Sequence, residues 1–304
     1  MAKSDGKGES RRRSFHSSEQ GFALLMVAPA LLVLLATTTF PLGFLIWNSL
    51  HSINLAMPFM DGFVGLANYK RMMGDPEFWH SLSLTAIYTI STVVMQVVIG
   101  LGMALLVMQI PRGQWLFRIV AILPIVLAPV VVGLFWRTLM LAPNFGILDF
   151  IVQALGFDPV NWLGSPVPAL VSVIVIHTWQ WTPFAFLVLL ASLASLPSDV
   201  YEAARIDRAS AFRRFIHITL PLIRPAIVIV IIMRSMIALS AFAAIFAATG
   251  GGPGTATEIL NLYAYRTSFV KLDFGYGSAL AVSLLLITLV VSSVLFVLRT
   301  SRTS

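Results

Sequence analysis

The chain has 304 residues, of which 58% are hydrophobic and only 11% are charged. An ordinary soluble domain carries about 25% charged residues, so this composition excludes a water-exposed surface and indicates a protein embedded in lipid. Cysteine is absent from the sequence, which excludes disulfides, thiolate metal sites and cysteine nucleophiles. The net charge of +7 could indicate nucleic acid or a membrane, and the positions of the basic residues distinguish the two.

Six apolar stretches are long enough to cross a bilayer as helices. They cover residues 21–47, 82–108, 119–139, 168–192, 225–247 and 276–298. The sequence therefore predicts an all-α integral membrane protein with one six-helix domain at residues 21–304. A polar, basic and disordered tail is predicted at residues 1–20, and the longest loop, residues 48–81, is predicted to lie on the membrane surface.

The basic residues are distributed unevenly between the two sides of these spans. Fourteen of the twenty Lys and Arg residues fall in the two termini and in the loops after the second and fourth spans. Four fall in the opposite loops, and Arg137 and Arg234 lie within spans. By the positive-inside rule, this bias predicts that both termini are cytoplasmic. Basic charge is thereby explained by topology, and no nucleic-acid partner is expected.

The most polar internal stretch is the cytoplasmic loop at residues 197–224. Ser198 or Asp199 could cap a helix start, with Glu202 at the spacing of a capping box. Further along, apolar residues recur three and four positions apart, which indicates one apolar helix face. Two interpretations remain open: an amphipathic helix at the lipid interface, or a helix that docks on a partner protein. Acidic residues in the loop favour the second.

Three segments of the sequence resemble one family, the binding-protein-dependent ABC import permeases for carbohydrates. Glu202-Ala203-Ala204, followed by Asp207, Phe215 and Leu220-Pro221, is similar to the EAA loop of that family. Residues 63–69 with 75–79, and residues 249–253, look like its other recurring signatures. The end of the chain resembles the leading-subunit type, similar to maltose, trehalose or glycerol-phosphate permeases. The resemblance covers nearly all of the chain after residue 20.

The resemblance implies a type I ABC importer permease fold with a cytoplasmic coupling helix. The residues that would couple to the ATPase are Glu202, Ala203, Ala204, Asp207, Arg208, Phe212 and Phe215. The implied partners are a second permease subunit, two copies of a cytoplasmic ABC ATPase and an extracytoplasmic solute-binding protein. One position departs from the family pattern, since Arg208 stands where the family usually has Gly. A turn that requires positive φ would then be made by a costlier residue.

Arg234 is predicted to lie close to the bilayer centre, about nine residues into the fifth span. An unpaired Arg there costs at least about 2.5–3.5 kcal/mol, so it requires a partner or a wet cavity. No acidic residue falls within a predicted span, which leaves carbonyls, aromatic faces, water or another subunit as partners. Arg234 could be structural or could line a solute pathway. Arg137, nearer a span end, is expected to be structural.

The fourth span carries a cluster of polar and aromatic residues near mid-membrane. Aromatic rings with an amide or imidazole suit a sugar, whose C–H face stacks on a ring and whose hydroxyls need paired donors and acceptors. Helix packing is an equally good explanation for any one of these residues. The predicted substrate-pathway residues are His177, Gln180, Trp181, Arg234 and Asn261.

Other function classes are less consistent with the sequence. An intramembrane enzyme would need a cluster of catalytic groups, and the predicted spans contain only a lone His177 without a carboxylate. Ion-driven transporters generally place Asp or Glu within spans. The sequence contains no GxxxxGK[ST] loop, so ATP and its hydrolysis are assigned to a separate subunit, and no cofactor or metal is expected here. The prediction is a non-catalytic, multi-pass permease of the bacterial inner membrane that carries a sugar or related solute.

Overall fold

A computed structural model describes residues 7–300 except 58 and 60. The helices and strands follow in chain order. They are α1 Lys7–Ser49, β1 His51–Ser52, β2 Gly62–Phe63, α2 Ala67–Met73, α3 Pro76–Gln109, α4 Gln114–Val126, α5 Pro129–Phe135, α6 Ile147–Ala154, α7 Pro166–Ala194, α8 Ser198–Ile206, α9 Ala211–Arg214, α10 Leu220–Leu239, α11 Ala243–Ala248, α12 Leu260–Tyr265 and α13 Phe274–Thr300. Three π-helical turns, Trp136–Met140, Phe215–Thr219 and Arg266–Val270, extend α5, lead into α10 and extend α12.

Among the described residues, five helices are long and apolar enough to cross a membrane, and a bent pair of helices makes a sixth candidate if the pair is one span. The prediction of an all-α membrane protein is confirmed, whereas the count of six spans and the orientation of the termini stay predictions. The second, fourth and sixth predicted spans fall within α3, α7 and α13. Helix α1 begins at Lys7, so residues 7–20 of the predicted disordered tail are helical, continuous with the first span; residues 1–6 lie outside the described part.

The third predicted span, residues 119–139, is not one straight helix. Helix α4 and the segment Pro129–Met140 are bent by 99° relative to each other. Leu127 and Ala128 at the bend are extended, with ψ angles of 138° and 137°. The cause is local, because Pro129 forces the preceding residue out of the helical region and then occupies the first position of α5.

The fifth predicted span, residues 225–247, ends earlier than expected. A helical stretch runs from Ala211 to Leu239 and stops there, and α11 begins only after Phe242, whose φ and ψ are −153° and −64°. Helix α11 packs closely on α5: a Cβ added at Gly133 would lie 2.5 Å from the Ala244 carbonyl oxygen. Helices α5 and α11 therefore pack against each other, and each lies next to a break in its own predicted span.

Among the described helices, α3 and α7 have the most extensive contact with each other, and this pair forms the centre of the domain. Gly100 of α3 permits the approach, since a Cβ there would lie 2.8 Å from the Phe186 backbone nitrogen. Buried aliphatic and aromatic side chains of both helices, together with Val230 of α10, fill the adjoining core. Helices α3 and α7 therefore form a closely packed, rigid pair that carries several of the buried polar residues.

The segment after α1 forms a small structured cap. Strands β1 and β2 pair antiparallel, with His51 opposite Phe63. The Asn68 side chain of α2 donates hydrogen bonds to the carbonyls of Ser49 and His51 at 2.9 and 3.0 Å. The predicted surface loop is therefore fixed to the end of the first span by buried hydrogen bonds.

Candidate functional site

Arg234 lies at the junction of three helices and has no exposed surface. Its Nε donates to Gln96 Oε1 of α3 at 2.8 Å, and its Nη2 donates to His177 Nε2 of α7 at 3.1 Å. The guanidinium lies over the ring of Trp181, 4.4 Å from its centroid. The ion pairs of the described residues do not include Arg234. Its charge is thus held by an amide, an imidazole and an aromatic face.

Gln96 was not predicted from the sequence, although it joins the other members of this cluster. It is fully buried, and its Nε2 also donates to the backbone carbonyl of His177 at 3.4 Å. Gln96, His177 and Arg234 therefore form a closed ring of three hydrogen bonds. The available signal was an isolated amide within the apolar stretch that forms α3. Amides inside spans are costly unless they are hydrogen-bonded to another helix.

A cavity of about 410 Å³ lies beside this ring. Its wall includes Tyr88, His177, Gln180 and Trp181, and it extends to Phe242 near the broken end of α10. Among the described residues, neither the Tyr88 hydroxyl nor Gln180 Oε1 has a hydrogen-bond partner. The volume lies in the range of small-molecule sites, about 300–1,000 Å³. The wall thus contains aromatic rings and two polar atoms without partners, both of which are buried in this conformation.

Gln180 connects the cavity to the bend in the third span. Its Nε2 donates to the carbonyl of Leu127 at 3.1 Å, at the point where α4 ends. This bond satisfies a carbonyl that the bend leaves without a helical partner. The amide nitrogen of Gln180 is therefore hydrogen-bonded, whereas its Oε1 has no hydrogen-bond partner among the described residues.

Asn261, also predicted for the pathway, lies apart from this cluster. Its Nδ2 donates to the carbonyls of Ser240 and Ala241 at 3.1 and 3.3 Å, which satisfies the end of α10. It borders a second cavity of about 420 Å³, lined in part by Tyr265. Phe242 borders both cavities. The structure therefore brings together His177, Gln180, Trp181 and Arg234, and places Asn261 in the neighbouring cavity.

The loop at residues 197–224, which is predicted to be cytoplasmic, folds as two short helices that lead into α10. Helix α8 begins at Ser198, as predicted, but the predicted side-chain cap is wrong. The capping residue is Pro197, which makes no side-chain hydrogen bond, while Ser198 Oγ donates to Asp199 Oδ1 at 3.2 Å. Ser198 is already helical, so its hydroxyl cannot occupy the capping position.

The residues matched to the EAA loop divide into an inner and an outer set. Ala204 is buried and Phe215 is half-buried. Exposed positions are Glu202, Ala203, Asp207, Arg208 and Phe212. Phe212 has 75% of its surface exposed.

Arg208 adopts the left-handed conformation, with φ of 53°. The turn that the resemblance associated with Gly therefore does have positive φ. Arg208 N donates to the Arg205 carbonyl at 3.0 Å, and Ser210 Oγ then caps α9 by accepting from Arg213 N at 3.2 Å. The hydroxyls of Tyr201 and Thr219 lie 2.9 Å apart and join α8 to the π-helical turn before α10. This contact links α8 to the segment that leads into α10.

A polar cluster at the ends of two spans joins the start of α3 to α12 and to the start of α13. Asp75 Oδ2 accepts hydrogen bonds from the hydroxyls of Tyr263, at 2.6 Å, and Tyr276. Burial alone would raise the pKa of Asp75, but these hydroxyls and the backbone N–H of Glu77 lower that pKa below its ordinary value. Sequence reasoning missed this cluster because its members are almost 200 residues apart.

The fold and site define a polytopic helical membrane protein with broken spans, a mainly apolar cavity with a few polar side chains beside a buried arginine, and an exposed loop between the fourth and fifth spans. Residues 96–302 match the family described as "Binding-protein-dependent transport system inner membrane component". The chain belongs to this family. It is a multi-pass inner-membrane permease subunit of a binding-protein-dependent ABC importer.

Individual relatives cover nearly the whole chain. The Trehalose/maltose transport system permease protein MalF of Thermococcus litoralis is 37% identical over 284 residues, which are 93% of this chain and 95% of the relative. The Sulfoquinovosyl glycerol transport system permease protein SmoG of Agrobacterium fabrum is 36% identical over 279 residues, covering 91% and 90% of the two chains. A chain of a bacterial ABC transporter involved in alginate import has a similar fold, with a TM-score of 0.79, 19% identity, and coverage of 96% of this chain and 100% of that chain.

Proposed function

We propose that this subunit forms half of the translocation pore of an ATP-driven importer for a sugar or related solute. The observation that carries the proposal is the cavity beside the Gln96–His177–Arg234 ring. The cavity lies next to helices α7 and α10, which the loop at residues 197–224 connects. The side chains of its wall include an imidazole, an amide, a phenol and an indole. Hydroxyls of a sugar require such donors and acceptors, and its C–H faces pack on aromatic rings.

The solute class is supported by the relatives. Those with the highest similarity reported above are named for trehalose, maltose and sulfoquinovosyl glycerol, all of which carry sugar rings. Among the described residues, none of the charged side chains lines this cavity. The absence of charge at the wall favours recognition through hydroxyl groups. We propose an oligosaccharide, polyol or similar hydroxylated solute.

The energy for transport is proposed to come from a separate ATPase. The sequence has no phosphate-binding loop of the GxxxxGK[ST] type, so this subunit is proposed to be non-catalytic and to bind no cofactor of its own. Helix α8 and the turn at Arg208 present an exposed surface suited to a groove on that ATPase. The proposed assembly contains a second permease subunit, two ATPase copies and an extracytoplasmic solute-binding protein.

The cavity can be tested with a substitution that removes one unpaired hydroxyl. Tyr88→Phe deletes the hydroxyl that has no partner and keeps the ring, so the fold should be preserved. The matched control is Thr89→Val, because the Thr89 hydroxyl is also buried and unpaired but borders an apolar groove on the other side of α3. A lost hydrogen bond to solute is worth about 0.5–1.5 kcal/mol, or roughly 2- to 13-fold.

The measurement is uptake by the purified transporter in vesicles, with its partner subunits and with trehalose or maltose as probe. Tyr88→Phe should raise the solute concentration for half-maximal uptake, while Thr89→Val should leave it unchanged. If neither these sugars nor a panel of other oligosaccharides and polyols stimulates ATP hydrolysis, the proposed solute class is wrong. If a sugar is transported and both variants behave as wild type, the cavity is not on the pathway.

A further inference from the structure

Arg234 contacts the cavity only through other side chains. It is fully buried, whereas His177 and Trp181, which it touches, line the wall. Resting on the proposed function, we infer that Arg234 is a positioning residue: it fixes the His177 imidazole in the tautomer that carries its proton on Nδ1, and this N–H serves as a hydrogen-bond donor to an uncharged hydroxylated solute.

The tautomer follows from the chemistry of the guanidinium. All five N–H groups of Arg are donors and it has no acceptor, so the contact of 3.1 Å requires His177 Nε2 to accept. An imidazole that accepts at Nε2 is neutral and carries its proton at Nδ1. In the part of the chain that the structure describes, Nδ1 makes no hydrogen bond and is not among the buried polar atoms without a partner. It is therefore the ring nitrogen accessible to a solute.

The closed ring holds this arrangement in place. Gln96 accepts from Arg234 Nε at 2.8 Å and directs Nη2 towards the imidazole. Gln96 Nε2 also donates to the His177 backbone carbonyl at 3.4 Å, and the Trp181 ring stacks on the guanidinium. A neutral imidazole left alone could exchange between two tautomers. Here the unexposed positive charge selects one of them without itself reaching the solute.

The result is a complementary set of groups on one cavity wall. His177 Nδ1–H is the donor on this wall. Gln180 Oε1, whose amide nitrogen is engaged by Leu127, is a free acceptor, and the Tyr88 hydroxyl can donate or accept. Both of these atoms are buried in this conformation, so they would contact a solute only after a small rearrangement of the wall. Each solute hydroxyl is both donor and acceptor, so this set matches neighbouring hydroxyls on a ring. A cation is disfavoured, because the Arg234 guanidinium lies behind the wall and the described residues that line the cavity include no carboxylate.

The tautomer can be measured directly by nitrogen NMR of the full-length chain labelled at histidine and embedded in bilayers near neutral pH. The His177 signals are assigned by their loss in His177→Gln. Wild type should show a protonated Nδ1 and a hydrogen-bonded, unprotonated Nε2. Arg234→Lys, which retains a donor, should keep this pattern, whereas Arg234→Met should give a mixture of tautomers. A protonated Nε2 in wild type, or an unchanged pattern in Arg234→Met, would overturn the inference.

Uptake by the complete transporter tests the consequence for the solute. The amide nitrogen of Asn can replace Nδ1–H, whereas that of Gln reaches the position of Nε2. His177→Asn should therefore keep the half-maximal trehalose or maltose concentration near that of wild type, and His177→Gln and Arg234→Met should raise it roughly 3- to 10-fold at equal abundance. In the His177→Asn background, Arg234→Met should have little further effect.

These readouts separate the inference from a purely structural role and from the proposed function. A structural arginine would lower the abundance of Arg234→Met equally in both backgrounds and would leave no specific effect on half-maximal concentration, which would refute the positioning role. If the NMR pattern depends on Arg234 but uptake is unaltered in all variants, the imidazole does not face the solute. Absence of uptake of these sugars and of the panel of other oligosaccharides and polyols by wild type would instead refute the proposed solute class.

Discussion

The close contact between α3 and α7 makes a sharp prediction about Gly100. A Cβ at this position would lie 2.8 Å from both Ala185 Cβ and the Phe186 backbone nitrogen. Ordinary van der Waals contact begins at about 3.4 Å, so Gly100→Ala requires the helices to separate by roughly 0.6 Å or more. Because one of the opposing atoms belongs to the backbone, no side-chain rotation can relieve the overlap.

The expected cost of Gly100→Ala is about 1–3 kcal/mol, which is typical of inserting a methyl group into a packed core. Gly102 provides the matched control on the same helix, since nothing lies within 4 Å of a Cβ added there. Ala is a better helix former than Gly by about 1 kcal/mol. Gly102→Ala should therefore be neutral or stabilising.

Both variants are to be compared by thermal unfolding of the purified transporter in nanodiscs, followed by loss of monodispersity and by tryptophan fluorescence. Gly100→Ala should melt below wild type and Gly102→Ala at or above it. Equal melting temperatures for the two variants would show that the α3–α7 interface yields without cost, which contradicts the close packing described here.

Two further predictions concern the ends of the spans. Arg208→Gly should support uptake within about twofold of wild type because Gly adopts positive φ freely. Arg208→Val should lower uptake several-fold, since a β-branched residue is strained at positive φ. Equal uptake by the two variants would refute a left-handed turn. The lowered pKa of Asp75 means that its contribution to stability is complete above the ordinary carboxyl pKa of about 3.9 and is lost as the pH falls through the lower folded value. Asp75→Asn should accordingly reduce the melting temperature near neutral pH and flatten its acid dependence, and an unchanged acid dependence would contradict the cluster.

The sequence predicted features that depend on composition and local pattern. Uninterrupted apolar stretches located α7 and α13 to within about two residues and α3 to within about six. The helix at Ser198 was predicted from a capping pattern whose side-chain cap the structure does not form. Arg234 was expected to be satisfied by carbonyls, aromatic faces, water or another subunit, and the Trp181 ring is such an aromatic face. The hydrogen bond to the His177 imidazole was not expected.

Features that depend on the path of the backbone were not predicted. Hydropathy carries no information about the direction of a helix axis. The 99° bend before Pro129 therefore lies within an uninterrupted apolar stretch and could not be recognised from the sequence. The residues after Leu239 are also apolar, and nothing in their composition marks the end of α10. Gln96 and Tyr88 acquire their roles only through contacts with helices far away in sequence, which a single sequence does not reveal.

The central claim is that this subunit is driven by an ATPase docked on α8. Glu202→Lys reverses an exposed charge on that helix. The control is Asp158→Lys, an exposed charge reversal in a loop that the topology prediction places on the opposite side. Both variants would be compared with wild type for membrane abundance, ATPase co-purification, uptake and solute-stimulated ATP hydrolysis.

The account predicts that Glu202→Lys inserts normally but lowers uptake and stimulated ATP hydrolysis at least about tenfold, equivalent to about 1.4 kcal/mol of coupling free energy, while Asp158→Lys behaves as wild type. A helix that merely lies on the membrane surface would leave ATPase association intact. Wild-type uptake and stimulated ATP hydrolysis in Glu202→Lys would contradict the account.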